Sequence, residues 1–545
     1  MECEARVAAM NSVRRQWGRA RFASQTLAAP ALIALLALLT TSGNARLAAQ
    51  SPETVQRIQQ LLESGDTASA QAVLTQAWRE SPDRAGLYNL QGVINAQEGD
   101  FASAEANFRK AIKLAPDLEG AYLNLGRLYQ EHISKDVAAR DKALGVYDSL
   151  LRFSPNQVEA NYQSAVLLMQ KGLYPASVNR LNKLPAEAQN RAQALSVKCG
   201  DNAGLGQDEK AEQAAKQMLG STDLAEADVT SILPILSKRK NNALAATLLE
   251  GLKARQLASF DSLQSLGLLY KSMGRLAEAR QTLEAAAQLQ PGSVPNLLNL
   301  ARVADEQKDY TGALGYLAHA RELEPNNAAI HFFWGIVCIE QDLAEEAYQA
   351  LKKAVTLDPR NAYYNYALGA VVMERENGSE SIPYFQKYCE LKPHDPRGRL
   401  ALASAYFNSY ENAKAEEVLK AISNNPQTAA GAHYYLGRIA NRKGDYAEAI
   451  RELQRALEVH PDFADAYAEL GLVHLKQAQY PQAEEALLRA LKLNPDSYLA
   501  NLNLMVLYQR TKSPKADEQA KRFEQIKQER ARRAQDLLRS VEVEP

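Results

Sequence analysis

Cysteine is scarce in this chain. Only 4 of its 545 residues are Cys, and after residue 50 only Cys199, Cys338 and Cys389 remain. An odd number of widely spaced cysteines does not build a disulfide framework, and no C-x-x-C pair is present to suggest a zinc or redox site. The fold must therefore be held together by its apolar core.

An excess of charge of either sign is also missing. The chain has 63 basic and 64 acidic residues, a formal net charge of −1. Without residues 1–50, which hold six Arg and two Glu, the balance is (63 − 6) − (64 − 2) = −5. Nucleic-acid-binding proteins usually carry a basic excess. The charge therefore argues against a nucleic-acid partner.

Catalytic signatures are absent as well. The sequence has no H-E-x-x-H, no G-x-S-x-G and no G-x-x-x-x-G-K-[ST]. His331 and Cys338 share the stretch "HFFWGIVC", but seven residues along a helix separate them by ~10 Å. They are too far apart to pair, so His331 is interpreted as a packing residue. The sequence predicts no enzyme, no cofactor and no metal site.

A long apolar run is missing too. The uncharged stretch Leu27–Leu39 has 39 − 27 + 1 = 13 residues, fewer than the ~20 that a membrane-spanning helix needs. It follows an arginine-rich segment and precedes small residues, the layout of a secretory signal. We expect residues 1–50 to be a signal peptide, cleaved after Ala45 or Ala49, and the protein to reach the periplasm or cell envelope. The alternatives are an N-terminal anchor formed by residues 27–39, or a chance apolar run in a cytosolic adaptor.

What the chain does have is a repeat of 34 residues, visible as three ladders with fixed offsets. The first carries small residues at Gly267, Ala301, Gly335, Gly369, Ala403, Gly437 and Gly471. The second runs through Ala279, Ala313, Ala347, Ser381, Ala415, Ala449 and Ala483. The third holds Pro291, Pro325, Pro359, Pro393, Pro461 and Pro495. Ladders of one period indicate one structural unit used many times.

Each repeat reads as two helices joined by a tight turn. Apolar residues recur at spacings of three and four, which predicts an amphipathic helix on either side of a turn such as "RKGDY" at 442–446. Gly335 and Ala347 lack bulk, as required where two antiparallel helices approach closely. Pro359 cannot continue a helix and ends the second one. One such pair cannot bury its apolar face alone, so the repeats must stack.

The pattern resembles the tetratricopeptide repeat family, a 34-residue helix–turn–helix. The match is strongest in "LYNLQGVINAQEGDFASAEANFRKAIKLAP" within 85–118, in "HYYLGRIANRKGDYAEAIRELQRALEVHP" within 430–463 and in "YAELGLVHLKQAQYPQAEEALLRALKLNP" within 464–497. The resemblance implies an all-α protein, a right-handed α–α superhelix of about fourteen repeats, and a function in binding proteins or peptides.

The ladders also divide the chain. We expect tetratricopeptide repeats at 51–187, with a five-residue insertion within "EHISKDVAARDKA", then degenerate repeats at 188–259 and regular repeats at 260–531. Residues 532–545 are expected to be a charged tail that continues a capping helix. The array leaves no room for a separate catalytic domain.

The resemblance also locates a binding surface, because first helices line the concave inner wall in this family. Places are counted from the first residue of a repeat, so that Ala328 is place 1 of 328–361. Places 4, 7, 8 and 11 are expected to pack inward, leaving places 2, 5, 9 and 12 as an exposed aromatic stripe with an arginine rim. The predicted groove residues are Asn299, Arg302, Phe332, Ile336, Tyr363, Tyr366, Tyr434 and Arg438. The alternative is that a tightly wound superhelix buries these rings against itself.

The predicted function is a non-enzymatic scaffold that binds peptide or protein segments in this groove, in envelope assembly, secretion or export. Membrane contact is expected only through the N-terminal segment, if it stays uncleaved. One alternative is a sugar-binding accessory of polysaccharide synthesis or export, with the aromatic rings stacking on sugars. Another is a repeat region like that of the O-GlcNAc transferases without its catalytic domain. The Lys and Asn clamp of chaperone-tail binders is absent, since places 5 and 9 hold pairs such as Phe332 and Ile336.

Overall fold

The computed structural model describes residues 52–80, 84–131, 138–375 and 378–541. The expected signal or anchor at 1–50 lies outside the described residues. So do residues 132–137, within the segment where the insertion is expected, and the last four residues of the expected tail.

The described residues form two compact bodies, one ending at Leu289 and one starting at Gln290. All regular elements in the described ranges are helices, with no β-strand among them. In the first body they are Pro52–Glu63, Thr67–Glu80, Arg84–Gln97, Phe101–Leu114, Glu119–Glu131, Ala139–Phe153, Val158–Gln170, Tyr174–Leu181, Ala186–Gln189, Ala192–Gly204, Asp208–Leu219, Glu226–Thr230, Leu233–Lys238, Asn242–Ala254, Phe260–Ser272 and Leu276–Leu289.

The second body continues the same alternation of first and second helices. Its helices are Val294–Glu306, Tyr310–Leu323, Ala328–Glu340, Ala344–Leu357, Ala362–Glu374, Gly378–Leu391, Pro396–Asn408, Asn412–Ile422, Ala429–Lys443, Tyr446–Val459, Ala464–Lys476, Tyr480–Leu493, Tyr498–Arg510 and Ala516–Val541. Within the described ranges each body thus holds seven helix pairs, fourteen in all. The prediction of an all-α solenoid of about fourteen repeats is confirmed.

The two helices of a repeat approach each other at the small residue of the first ladder. A Cβ placed on Gly335 would lie 2.7 Å from Leu351 Cγ and 3.2 Å from the carbonyl oxygen of Ala347. The equivalent Cβ on Gly437 would lie 2.8 Å from Leu453 Cγ. These distances leave no room for a side chain, because protein interiors are close-packed. The role predicted for Gly335 and Ala347 is confirmed.

The turn between the helices needs one residue in the left-handed region. In "RKGDY" this residue is Gly444, with φ of +81°, and the Asp445 side chain then caps the second helix by accepting from the Glu448 amide at 3.0 Å. Lys308 and Asp342 take the same conformation, with φ of +62° and +56°. Only glycine adopts it without cost, so the repeats with a non-glycine residue at this turn contain local strain.

The segment expected to be degenerate contains shortened helices. Tyr174–Leu181 has 8 residues, and Ala186–Gln189 has 4. Farther along, the first helix of a repeat is divided into Glu226–Thr230 and Leu233–Lys238, where Pro234 begins the second piece. Proline lacks the amide hydrogen that a continuous helix requires at this point.

The last helix, Ala516–Val541, covers the end of the array. Phe523 and Ile526 are buried, and the Phe523 ring lies 5.0 Å from that of Tyr498. The Gln519 amide donates to Asn501 Oδ1 at 2.9 Å. Among the helices of the described ranges, none combines the length and the apolarity needed to cross a bilayer.

Candidate functional site

Three of the predicted groove residues are buried. Phe332 is 2% exposed, and Ile336 and Tyr434 are each 6% exposed. The Phe332 ring lies 4.7 Å from that of Tyr364 in the following repeat. The expectation that these three form an exposed stripe is wrong, because the first helices of adjacent repeats approach closely enough to bury them. For these residues the alternative of self-burial is correct.

Tyr363 and Tyr366 are half-buried within one aromatic cluster. Their ring centroids lie 6.4 and 5.0 Å from that of Tyr388. Burial raises the pKa of Tyr366 to about 12. The Tyr388 hydroxyl in turn donates to Asp395 at 2.7 Å. Both predicted residues therefore stabilise the contact between repeats and keep part of their surface accessible.

Asn299 and Arg302 lie one turn apart on the helix Val294–Glu306, and both are half-buried. The guanidinium of Arg302 donates to Asn299 Oδ1 at 3.4 Å. Burial lowers the pKa of Arg302. The structure brings these two predicted residues together.

Arg438 is the predicted residue with the richest surroundings. Its guanidinium carbon lies 4.5 Å from the ring centroid of Phe407, 5.5 Å from that of Tyr434 and 5.8 Å from that of Tyr435. The side chain remains 29% exposed. A cation over several aromatic faces is held in place by the ring quadrupoles. We define the Arg438 cluster as Phe407, Tyr410, Tyr434, Tyr435, Arg438, Asn441, Arg442, Glu469 and Lys476.

Arg442 adds a second guanidinium one helical turn away. Its guanidinium carbon lies 3.4 Å from the Phe407 ring centroid and 4.8 Å from that of Tyr410. It also donates to the Phe407 carbonyl at 2.7 Å. Burial lowers its pKa, and the neighbouring charge of Arg438 lowers it further. Tyr410 is 78% exposed, so the cluster presents one open aromatic ring to solvent.

A buried carboxylate joins the cluster to the next repeat. The Glu469 side chain is 7% exposed and lies 3.9 Å from Arg438 Nε. The Asn441 amide donates to Glu469 at 2.6 Å, and the Lys476 ammonium donates to Asn441 at 2.7 Å. Three cations, Arg438, Arg442 and Lys476, face this one carboxylate, so the cluster has a net charge of 3 − 1 = +2. Such a site attracts anionic groups, and a guanidinium binds a carboxylate through paired hydrogen bonds.

Sequence reasoning found only part of this cluster. Tyr434, Arg438 and Asn441 follow from the stripe at places 5, 9 and 12. It missed Phe407, Arg442 and Glu469, which lie on other places of the repeat. One available signal was the spacing of Arg438 and Arg442, since residues four apart lie side by side on a helix.

His331 and Cys338 have structural roles. His331 Nε2 lies 2.8 Å from the carbonyl oxygen of Pro325 and donates to it. Cys338 is 1% exposed, and burial raises its pKa to about 12. A buried neutral thiol is not a nucleophile. Over the described part of the chain, no three His, Cys, Asp or Glu side chains gather as metal ligands would.

Comparisons with known proteins agree with the repeat. Models of the tetratricopeptide repeat match residues 56–119, 271–331, 304–371, 437–478 and 464–497. None of the curated proteins compared with the chain matches it.

Among solved structures, yeast Tom70 is 15% identical, with 83% of this chain and 94% of that chain covered and a TM-score of 0.37. The protein pilF of Pseudomonas aeruginosa is 24% identical over 37% of this chain and 92% of that chain, with a TM-score of 0.33. YrrB, a TPR protein described as having an unusual peptide-binding site, is 21% identical over 40% and 95%, with a TM-score of 0.26. On its repeat pattern, its paired helices and the matches to the family models, the chain belongs to the tetratricopeptide-repeat family.

Proposed function

We propose that the protein is a non-enzymatic interaction scaffold whose Arg438 cluster binds an acidic segment of a partner protein. Tetratricopeptide repeats generally mediate protein–protein interaction. The observation that supports this particular surface is the stacking of Arg438 and Arg442 on Phe407, with one buried carboxylate and an excess of cations. An incoming carboxylate would complete the neutralisation of the cluster.

The aromatic rings of the cluster favour a peptide over a sugar as the ligand. Stacking on a sugar requires an open ring face, and the Phe407 face is covered by the Arg442 guanidinium at 3.4 Å. Tyr434 and Tyr435 are buried against each other, with ring centroids 5.3 Å apart. Tyr410 alone in the cluster is largely exposed, and it suits an apolar or aromatic side chain next to the acidic one.

We also propose that the protein is exported and acts in envelope assembly, secretion or export. This part rests on the charge and hydropathy of residues 1–50 alone. Fractionation of a C-terminally tagged protein tests it. The proposal requires a shortened protein in the periplasmic or envelope fraction, or a full-length one in the membrane fraction. Full-length protein in the cytosolic fraction alone contradicts it.

The binding proposal is tested by selecting ligands from a random peptide library on the purified chain. Selected peptides should share an Asp, a Glu or a free C-terminus beside an apolar residue. Their affinity should fall about tenfold or more for Arg438→Gln, because a charge-assisted hydrogen bond contributes ~1.5–3 kcal/mol. Arg489→Gln is the matched control, since Arg489 is 41% exposed and lies outside the cluster. Selection of uncharged peptides, or equal binding by Arg438→Gln, contradicts the assignment.

A further inference from the structure

Lys198 occupies a place where most other repeats carry leucine. Place 7 of the first helix holds Leu125, Leu266, Leu300, Leu368, Leu402, Leu436, Leu470 and Leu504. Most of these leucines are buried; Leu266 and Leu300, for example, are at most 1% exposed. Lys198 is exposed instead. A lysine is tolerated here only if the apolar contact that this place normally makes is missing.

The missing contact is explained by the preceding helix. The second helix of a regular repeat, such as Leu276–Leu289, has 14 residues, but Tyr174–Leu181 has only 8. The chain then passes through Pro185 into the single turn Ala186–Gln189. The absent turns of helix leave an opening beside the helix Ala192–Gly204, which carries Lys198.

The opening is a cavity of about 280 Å³ within the first body. Its polar lining consists of two ammonium groups and a set of carboxamides, among them Lys198, Lys210, Asn182, Gln189, Asn202 and Gln213. No carboxylate lines it. The walls therefore present hydrogen-bond donors and positive charge.

The positive charge is not neutralised by neighbouring side chains. Neither Lys198 nor Lys210 forms an ion pair with a carboxylate in the described part of the chain. Asp201 is the only acidic residue on the helix of Lys198, and it is fully buried and does not line the cavity. Asp208, near Lys210, accepts a hydrogen bond from Asn241 at 3.3 Å and is thus engaged with the next repeat.

We propose that this cavity is a binding site for a small anion that carries a carboxylate or phosphate group. Two ammonium groups and several amide N–H donors suit either group, which has several acceptor oxygens. The volume is just below the 300–1,000 Å³ typical of sites for drug-sized ligands. It accommodates a small anion or one acidic side chain, and it lies in a different body of the chain from the Arg438 cluster.

Isothermal titration of the full chain with inorganic phosphate and, separately, with succinate tests the proposal in a buffer whose only small anion is chloride. Saturable binding of phosphate alone identifies a phosphate site, and binding of succinate alone identifies a carboxylate site. Lys198→Leu restores the residue of the other repeats, so the variant should fold and its affinity should fall at least about tenfold. Lys210→Gln should weaken binding as well, through a side chain exposed on the helix Asp208–Leu219.

Lys216→Leu is the matched control, because Lys216 is exposed on the same helix as Lys210 and does not line the cavity. It should bind the anion as the unmodified chain does. The proposal is overturned if neither anion binds. It is equally overturned if Lys198→Leu and Lys210→Gln both keep full affinity, or if Lys216→Leu loses as much affinity as they do.

Discussion

His331 donates a hydrogen bond from Nε2 to the carbonyl oxygen of Pro325, the proline that closes the preceding repeat, at 2.8 Å. Tyr122 makes the same bond to Pro116 at 3.0 Å, and so does Asn365 to Pro359 at 3.1 Å. Asn161 and Asn501 also reach the corresponding proline carbonyls. Place 4 is therefore a donor position that ties the start of one repeat to the end of the one before. What it requires is a hydrogen at the right distance, and imidazole, phenol and carboxamide all supply it.

This relationship predicts which substitutions of His331 the protein tolerates. His331→Tyr keeps a donor and should leave stability nearly unchanged. His331→Phe keeps the ring and loses the donor, and should cost ~0.5–1.5 kcal/mol. The midpoints of urea unfolding compare the two variants. Equal midpoints for Tyr and Phe would show that the ring alone matters.

Gly335→Val should be strongly destabilising. The added Cβ would meet Leu351 Cγ at 2.7 Å and the Ala347 carbonyl at 3.2 Å, and overpacking of this kind costs ~1–3 kcal/mol. Gly315→Ala is the control, because no atom lies within 4 Å of the place that an added Cβ would occupy, and alanine favours a helix. Thermal melting followed by circular dichroism should show a lower midpoint for the first variant and an equal or higher one for the second. Indistinguishable melting of Gly335→Val and the unmodified chain contradicts the close approach.

The turns predict a pair of changes with opposite signs. Lys308 is exposed and left-handed, with φ of +62°, so Lys308→Gly should stabilise by ~0.5–1 kcal/mol through relief of backbone strain. Gly444→Ala should destabilise by ~1 kcal/mol, because alanine has a Cβ that this conformation disfavours. Chemical unfolding measures both. The same sign of change for both variants would refute the assignment of strain to the turns.

Asp201 gives the stability a pH dependence. It is fully buried, and burial raises its pKa to about 7 from an ordinary value of 3.8. The folded state thus retains the proton that the unfolded chain loses, so this stability is present below about pH 4 and is lost as pH rises through about 7. Asp201→Asn cannot ionise and should be more stable than the unmodified chain by ~1–3 kcal/mol at pH 8, with no gain at pH 4. Urea unfolding at both pH values tests this, and an equal effect at the two values contradicts it.

The repeat made the helices predictable, because one size requirement recurs every 34 residues. Gly335 and Ala347 could be assigned from spacing alone, since the close approach within a pair depends on that pair. Exposure of Phe332, Ile336 and Tyr434 could not be assigned, since it depends on the distance between successive repeats, which a single repeat does not encode. Lys198 was visible as a departure from the leucines at place 7, but the cavity beside it also required the short helix Tyr174–Leu181.

The most direct test of the Arg438 cluster is a double-mutant cycle with a selected acidic peptide. Dissociation constants are measured for the unmodified chain and Arg438→Gln, each with the peptide and with its Glu→Gln analogue. If the carboxylate binds at Arg438, the two changes should be coupled by ~1 kcal/mol or more, as contacting charges are. Additive effects, with no coupling, would contradict the central claim that this cluster recognises an acidic segment.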